Sequence, residues 1–354
     1  MKKALVIFGG VSSEHSISLM SAESILRNIP TDKYEVIKMG ITSDGRWYLF
    51  NGDISLLKDD KWASPEYCTP AFVSPDASVH GIVVLHDGKY EEIYIDVAFP
   101  VLHGRNGEDG TIQGLFTMAG IPFVGCSCAS SAVCMDKAFT NALADAAGID
   151  QAKWVAANKR DYELHPLCII ERAEEKLGYP IFVKPANAGS SVGVGKADNR
   201  DELCAAMENA FKEDEKIVLE ETVIGREVEC AVLGNEDPIA SDIGEIVACN
   251  EFYDFDAKYV EDSELHIPAH LPKEKRDEVR EAAVKAYKAL GCSGLARVDF
   301  FVRESDGKVM LNEPNTIPGF TSISMYPKLF DAAGIPYPEL LDRLMSLAME
   351  KWEK

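Results

Sequence analysis

Near the end of the chain, two carboxylates and an amide are spaced as a hard cation would need them. Asp299 lies in the run 296–302, and Glu313-Pro314-Asn315 closes the run 308–315. Asp306-Gly307 between them reads as a hairpin turn, because glycine supplies the positive φ. Alternation puts Arg297 and Asp299 on one face of the first strand, and Leu311, Glu313 and Asn315 on one face of the second. Counted outward from the turn, Asp299 and Glu313 become cross-strand neighbours, where like charges repel. A cation relieves that repulsion, and carboxylate and amide oxygens are ligands that Mg²⁺ takes, leaving places for water and phosphate. On spacing alone, a solvated strand face or a plain Arg297–Asp299 pair accounts for the same residues.

Two glycine-rich segments carry further chemistry. The loop Lys184-Pro185-Ala186-Asn187-Ala188-Gly189-Ser190-Ser191-Val192-Gly193-Val194-Gly195 follows a strand ending in lysine. Its amides and hydroxyls could fold over phosphates while Lys184 supplies charge. The pattern is neither a Walker A nor a Rossmann fingerprint, and an ordinary flexible loop also fits. His103-Gly104-Arg105-Asn106-Gly107-Glu108-Asp109-Gly110-Thr111-Ile112-Gln113-Gly114 holds four glycines between its histidine and its threonine or just beyond, which implies close backbone approach to a ligand or an awkward turn.

The elements that must position these loops are partly legible. The apolar run 4–8 before Gly9-Gly10 is the pattern of a strand buried on both faces of a parallel sheet, and 34–41 and 96–102 read as further strands. The stretch 51–92 shows no clear pattern. Residues 128–147 form an Ala-rich helical segment stopped by Gly148. A strand at 179–184, the glycine-serine loop, a helix at 201–211 and a strand at 216–220 make a small α+β unit. Val279, Ala282, Ala283, Ala286, Tyr287 and Leu290 share one helical face, ended by Gly291. Domain boundaries fall near residues 125 and 220, giving 1–125, 126–219 and 220–354.

The 354 residues bring a formal charge of −22, so broad binding to nucleic acid or an anionic membrane is disfavoured, and a nucleotide would need a local cluster of lysine, arginine and metal charge. Nine cysteines without a CxxC pair or zinc spacing suit free thiols in a reducing, cytoplasmic setting. The apolar start is too short for an export signal, and no stretch reaches membrane-spanning length.

Taken together, Gly9-Gly10-Val11-Ser12-Ser13-Glu14, the HGRNGEDGTIQG loop, Met135-Asp136-Lys137, KPANAGSSVGV, the segment 252–259 and NEPNTIPGFTS resemble, in order and over the whole chain, the D-alanine:D-alanine ligases. The resemblance implies a three-domain ATP-grasp fold, α/β and α+β, with an N-terminal Rossmann-like parallel sheet. It implies two Mg²⁺ ions, for which Mn²⁺ could substitute, on Asp299, Glu313 and Asn315, and ATP held by Lys137, Lys184, Ser191, Glu220, Glu221, Val223, Glu227 and Asn312. Glu14, Ser190 and Tyr259 would form a hydrogen-bonded set receiving the ammonium of the first D-alanine, with His103 near it. Arg297 and the Gly319 N–H would hold the oxyanion, and Ser322 and Ser324 the second carboxylate. Residues 251–262 resemble a mobile lid carrying Tyr253, Lys258 and Tyr259. The implied reaction phosphorylates one D-alanine and condenses it with a second, for peptidoglycan synthesis, in a cytoplasmic homodimer.

The alternatives are a D-alanine:D-serine ligase of the vancomycin-resistance type and, from another class, a nucleotide-binding regulator that has lost catalysis. D-serine enzymes tend to carry arginine where this chain has Met325 and phenylalanine where it has Tyr253, which favours D-alanine here. A regulator would be expected to lack metal ligands or Arg297, and all are present. Ala188 and Pro314 depart from the commoner pattern, leaving open the loop's grip on phosphate and the path of the second strand, since proline donates no ladder bond.

Overall fold

The computed structural model describes residues 1–189, 192–247 and 264–353, so Ser190, Ser191, Tyr253, Lys258, Tyr259 and the expected lid lie outside the described residues. β1 (Lys2–Gly9) runs parallel to β2 (Tyr34–Ile41) on one side and β7 (Val97–Val101) on the other, which is why its interior is apolar without alternation. Val6 and Phe8 point into a core shared with α1 (His15–Asn28), while Leu5 and Ile7 face α2 (Thr111–Ala119).

The sheet does not stay parallel. The stretch 51–92, unreadable by pattern, contributes β4 (Cys68–Val73), β5 (Gly81–His86) and most of β6 (Lys89–Tyr94), which continue antiparallel from β3 (Trp47–Phe50) to complete a seven-stranded order β6-β5-β4-β3-β2-β1-β7. These strands are short, and β6 is exposed along most of its length, so neither long apolar runs nor clean alternation marks them.

The segment 128–147 is two helices rather than one. α3 (Cys128–Met135) stops at Asp136, whose carboxylate accepts from the Ala138 and Phe139 amides and so caps α4 (Lys137–Ala146). The break places Lys137 at a helix start facing the glycine-serine loop. A four-stranded antiparallel sheet, β10 (Gly195–Ala197), β9 (Ile181–Pro185), β11 (Lys216–Glu221) and β8 (Trp154–Asn158), is backed by α5 (Lys159–Leu164), α6 (Pro166–Leu177) and α7 (Arg200–Glu213).

The last sheet runs β14 (Glu264–His266), β13 (Ile239–Val247), β12 (Gly225–Gly234), β15 (Gly294–Arg303), β16 (Val309–Asn315). Its apolar face, with Val228, Cys230, Val298, Phe300 and Leu311, packs on Val279, Ala283, Ala286 and Tyr287 of α8 (Lys273–Ala289). After α9 (Met325–Ala332), α10 (Tyr337–Trp352) returns to the N-terminal sheet. Leu341, Leu344 and Met345 share one core with Val6, Phe8 and Phe99, so the first and last thirds of the chain are not separately cored.

Candidate active site

The anticipated hairpin places Asp299 directly opposite Glu313 and Arg297 opposite Asn315. One expectation is corrected. The register slips by one residue between Asp299 and Phe300, so that Leu311 pairs with Phe300 and Asn312 is the extra residue of a β-bulge. Leu311 therefore faces the core, buried beside Phe300, instead of sharing the face of Glu313 and Asn315. Pro314, opposite Val298, lies on β16, the edge strand of this sheet, where a residue without an N–H is tolerated.

The register across β12 adds a residue that the sequence reading missed. Glu229 pairs with Asp299, so Glu229, Asp299 and Glu313 form one row across three adjacent strands. Arg297 interleaves them. Its Nε and Nη2 donate to the two Asp299 carboxylate oxygens at 2.8 and 2.6 Å, and its Nε lies 3.2 Å from Glu229 Oε2. Asn315 Nδ2 donates to Asp299 Oδ2 at 2.9 Å. Burial alone would lower the Arg297 pKa, but Asp299 and then Glu229 hold it well above the ordinary arginine value. The arginine–carboxylate pair of the hairpin is thus present, inside a row of three acids that one guanidinium cannot neutralise, although among the described residues no three acids converge closely enough to form a ready ion site. Hard oxygen donors in excess of positive charge fit a divalent cation such as Mg²⁺.

Facing this row are the two expected lysines. Lys184, at the end of β9, pairs with Glu220 of β11 at 2.6 Å; burial would lower its pKa, yet Glu220, and beyond it Glu313 and Glu227, raise it. Asn141 Nδ2 donates to the other Glu220 oxygen at 3.4 Å. Lys137 Nζ donates to the Ala188 carbonyl at 2.8 Å and stands 3.8 Å from Glu313 Oε2. Because that contact uses the Ala188 backbone, the unusual side chain there leaves it intact. Glu221 is engaged by Lys153, whose amide donates to its Oε1 at 3.0 Å, and Val223 lies in the short connection to β12, whose Glu227 falls on the same face as Glu229.

A second group surrounds Glu14, which is buried just before α1. A methyl group at Gly189 would come within 3.0 Å of Glu14 Oε1, and one at Gly104 within 3.3 Å of Oε2. The two glycine loops therefore close on this carboxylate, and Gly104, at φ +68°, also needs the left-handed conformation. His103 Nδ1 donates to the Ile317 carbonyl at 3.1 Å, which leaves Nε2 to accept from Ser21 Oγ at 3.0 Å; burial lowers its pKa, against the pull of Glu14.

Glu108 was also missed. Its oxygens accept from the Gly104 and Ile317 amides at 2.7 and 3.3 Å, and burial, then the nearby Glu14 charge, pushes its carboxyl up to about 8. The loop after β16 is thereby tied to the His103 loop. Within it, a methyl group at Gly319 would meet Ser324 Oγ at 2.7 Å, and Ser324 Oγ accepts from the Thr321 amide at 2.9 Å. Ser322 is exposed, whereas Met325 is buried, against Gly244 and the core.

A Lys-bearing four-stranded sheet facing an acid-bearing five-stranded sheet, beside a partly parallel N-terminal sheet, defines an ATP-grasp enzyme. Family models described as D-ala D-ala ligase N-terminus and C-terminus match residues 3–126 and 143–346. The chain belongs to the D-alanine–D-alanine ligase family, whose members form the D-Ala-D-Ala peptide bond with ATP. It is 52% identical over 350 residues to the D-alanine–D-alanine ligase of Caldicellulosiruptor bescii, covering 99% of this chain and 95% of the relative. With that of Acetivibrio thermocellus it shares 50% over 368 residues, covering 99% and 96%. Among solved structures it is similar to VanG D-Ala:D-Ser ligase from Enterococcus faecalis (43% identity, TM-score 0.90, covering 98% of this chain and 99% of that one). The D-alanine–D-alanine ligase from Coxiella burnetii matches at 34% identity and TM-score 0.87, covering 100% and 96%.

Proposed function

We propose that this chain joins two D-alanines, with ATP and Mg²⁺, into the D-alanyl-D-alanine used in peptidoglycan. The observation that carries the reading is the row Glu229–Asp299–Glu313, interleaved by Arg297 and Asn315 and faced by Lys137 and Lys184. Asp299, Glu313 and Asn315 would hold Mg²⁺, which when bound neutralises phosphate charge during phosphoryl transfer. Lys137 and Lys184 would hold the phosphates, with Glu220, Glu221, Val223, Glu227 and Asn312 around the base and ribose.

Glu14 would receive the ammonium of the first D-alanine, its carboxylate then being turned into a D-alanyl phosphate. The amine of the second D-alanine attacks that carbonyl, and Arg297 and the Gly319 amide face the oxyanion. His103, whose pKa burial lowers, would line the first subsite, and Ser322 and Ser324 the carboxylate of the second. Ser190 and Tyr259 would complete the Glu14 set and Tyr253 and Lys258 the substrate positions, all four outside the described residues, in a site from which water must be kept because it would hydrolyse the acyl phosphate.

The relatives of about 50% identity are named D-alanine–D-alanine ligases, and Met325 and Tyr253 differ from the D-serine pattern, which together favour D-alanine as second substrate. The structural likeness to a D-Ala:D-Ser ligase makes D-serine the reading to exclude. Protein supplied with ATP, Mg²⁺, D-alanine and excess D-serine should give mainly the D-Ala-D-Ala mass; a dominant mixed dipeptide refutes the assignment. Among the described residues no helix is long and apolar enough to cross a membrane, and we place the enzyme in the cytoplasm as a homodimer. Sedimentation at micromolar concentration tests the dimer.

A further inference from the structure

Three cysteines from separate stretches of the chain meet outside the ligase site. Cys126 follows the N-terminal sheet, Cys134 lies in the last turn of α3, and Cys292 lies between α8 and β15; all three are buried. Cys134 and Cys292, 158 positions apart, bring their sulfurs to 3.8 Å. Cys126 Sγ lies 3.6 Å from both the Ser293 and Leu295 carbonyls, beside Cys292. Ser130 Oγ is 3.6 Å from Cys292 Sγ and 2.9 Å from the Leu290 carbonyl. Lys351 of α10 donates to Ser293 Oγ at 2.6 Å, bringing an ammonium against the same cluster. The remaining described cysteines, Cys68, Cys128, Cys168, Cys204 and Cys230, show no such sulfur contact with one another.

We propose that Cys134 and Cys292 are a peroxide-oxidisable pair that closes into an intrachain disulfide. Cys126 can direct a hydrogen at Cys292, but the Cys134 thiol and burial outweigh it and hold the Cys292 thiol well above the ordinary thiol range, so reaction with peroxide is slow and the contact between the two sulfurs carries the pairing. Hydrogen peroxide, no larger than two waters, suits a buried site better than a bulky disulfide oxidant. One of the two sulfurs, as its thiolate, displaces hydroxide from peroxide to give a sulfenic acid, and the proton it lost converts that hydroxide to water. The other thiol then attacks the sulfenic sulfur, forming the S–S bond and releasing a second water. Two thiols lose two electrons, and one peroxide becomes two waters.

The bond would join the end of α3, just before Asp136-Lys137, to the segment that leads into Arg297 and Asp299, linking the two walls of the nucleotide site by a covalent tie at their base. Closing so long a loop also restricts the unfolded chain.

The exposed thiols are first blocked with iodoacetamide on the folded protein, which is then treated with hydrogen peroxide, denatured, alkylated again and digested with trypsin. Cleavage after Lys288 and Arg297 isolates Cys292 in ALGCSGLAR, and cleavage after Arg105 and Lys137 isolates Cys126, Cys128 and Cys134 together. The expected product is these two peptides joined with the loss of two hydrogens, fragment ions placing the bond at Cys134, and full reversal by dithiothreitol. Cys134→Ser should abolish the joined species and Cys126→Ser should retain it. Recovery of ALGCSGLAR wholly alkylated, or only as sulfinic or sulfonic acid, overturns the proposal, as does a bond mapped to Cys126. Because the fragment ions locate the bond in the unaltered protein, the result does not depend on the variants folding.

Discussion

Replacing Lys184 by methionine removes a charge that the structure uses twice, once against Glu220 and once, as we propose, against phosphate. The 2.6 Å Lys184–Glu220 pair is largely enclosed, with side-chain exposures of 19% and 13%. Removing one partner of a fully buried pair costs about 3–5 kcal/mol, because the other charge is left uncompensated. Here Asn141 still donates to Glu220 and some water reaches both groups, so the expected loss is smaller, about 2 kcal/mol. Adding Glu220→Gln removes the orphaned charge and should recover at least half of that loss, since replacing both members of a pair is far milder than removing one. Activity should behave differently. Both the single and the double variant should lose roughly 100-fold or more in kcat/KM for ATP, about 2.7 kcal/mol of transition-state stabilisation, because methionine offers phosphate no charge. Urea unfolding of the four corners of the cycle, with steady-state kinetics on each, separates the two roles. A Lys184→Met protein of unchanged stability refutes the enclosed pair, and a double variant with near-normal kcat/KM refutes phosphate binding by Lys184.

Other consequences are more compact. For Glu108, the raised folded-state value near 8 means that between about pH 4.5 and 8 the unfolded chain releases a proton that the folded one keeps, so this group lowers stability as pH rises through that window. Glu108→Gln should flatten that part of a urea-midpoint profile and stabilise the ligand-free protein at pH 8 by on the order of 2 kcal/mol; an unchanged slope counts against the assignment. Gly104→Ala meets both a positive φ and Ser12 Oγ at 2.8 Å, so it should cost about 1 kcal/mol of stability and raise KM for the first D-alanine more than KM for ATP. Glu229→Gln weakens one of the two carboxylate grips on Arg297, and kcat should fall about tenfold with KM for ATP little changed; a loss confined to KM would place Glu229 on the nucleotide instead. Calorimetry of ATP with and without Mg²⁺ should show at least tenfold tighter binding with the cation, and equal affinities would contradict the carboxylate row as its site.

How much of this was legible depends on whether local pattern or long-range register decides a residue's place. β2 was readable to the residue from its concentration of Val, Ile and Met, and the Asp299–Glu313 pairing followed from counting outward from one turn. The bulge at Asn312 was not readable: nothing in LNEPN marks an extra residue, and only the register with β15 shows that Leu311 turns to the core. Glu229 escaped for a related reason, since β12 meets β15 by a pairing between strands far apart in sequence. Glu108 sat within a recognised loop, but its raised pKa arises from burial and then from Glu14, distant in sequence, against the pull of the Gly104 and Ile317 amides. The split between α3 and α4 did have a local signal, Asp136 before Lys137-Ala138-Phe139, which an Ala-rich helical reading passed over.

The acidic background and the site become one argument when the ion pairs are considered together. Among the described residues, the cations we assign to phosphate and oxyanion are held by carboxylates: Arg297 by Asp299 and Glu229, Lys184 by Glu220, and Lys137 within reach of Glu313. Nucleotide arriving alone would draw the lysines toward phosphate and leave clustered acids unneutralised; a divalent cation arriving alone would crowd positive charge against Arg297 and the lysines. Arriving together, they would exchange partners on the proposed reading, phosphate for carboxylate on the lysines and metal for guanidinium on the acids, so that few charges would be left unpaired in a poorly solvated place. The same pairing keeps the side chains aligned before ligand arrives, so less ordering remains to be done on binding. In a protein carrying −22 overall, that local balance would let a polyanionic nucleotide bind here against the background.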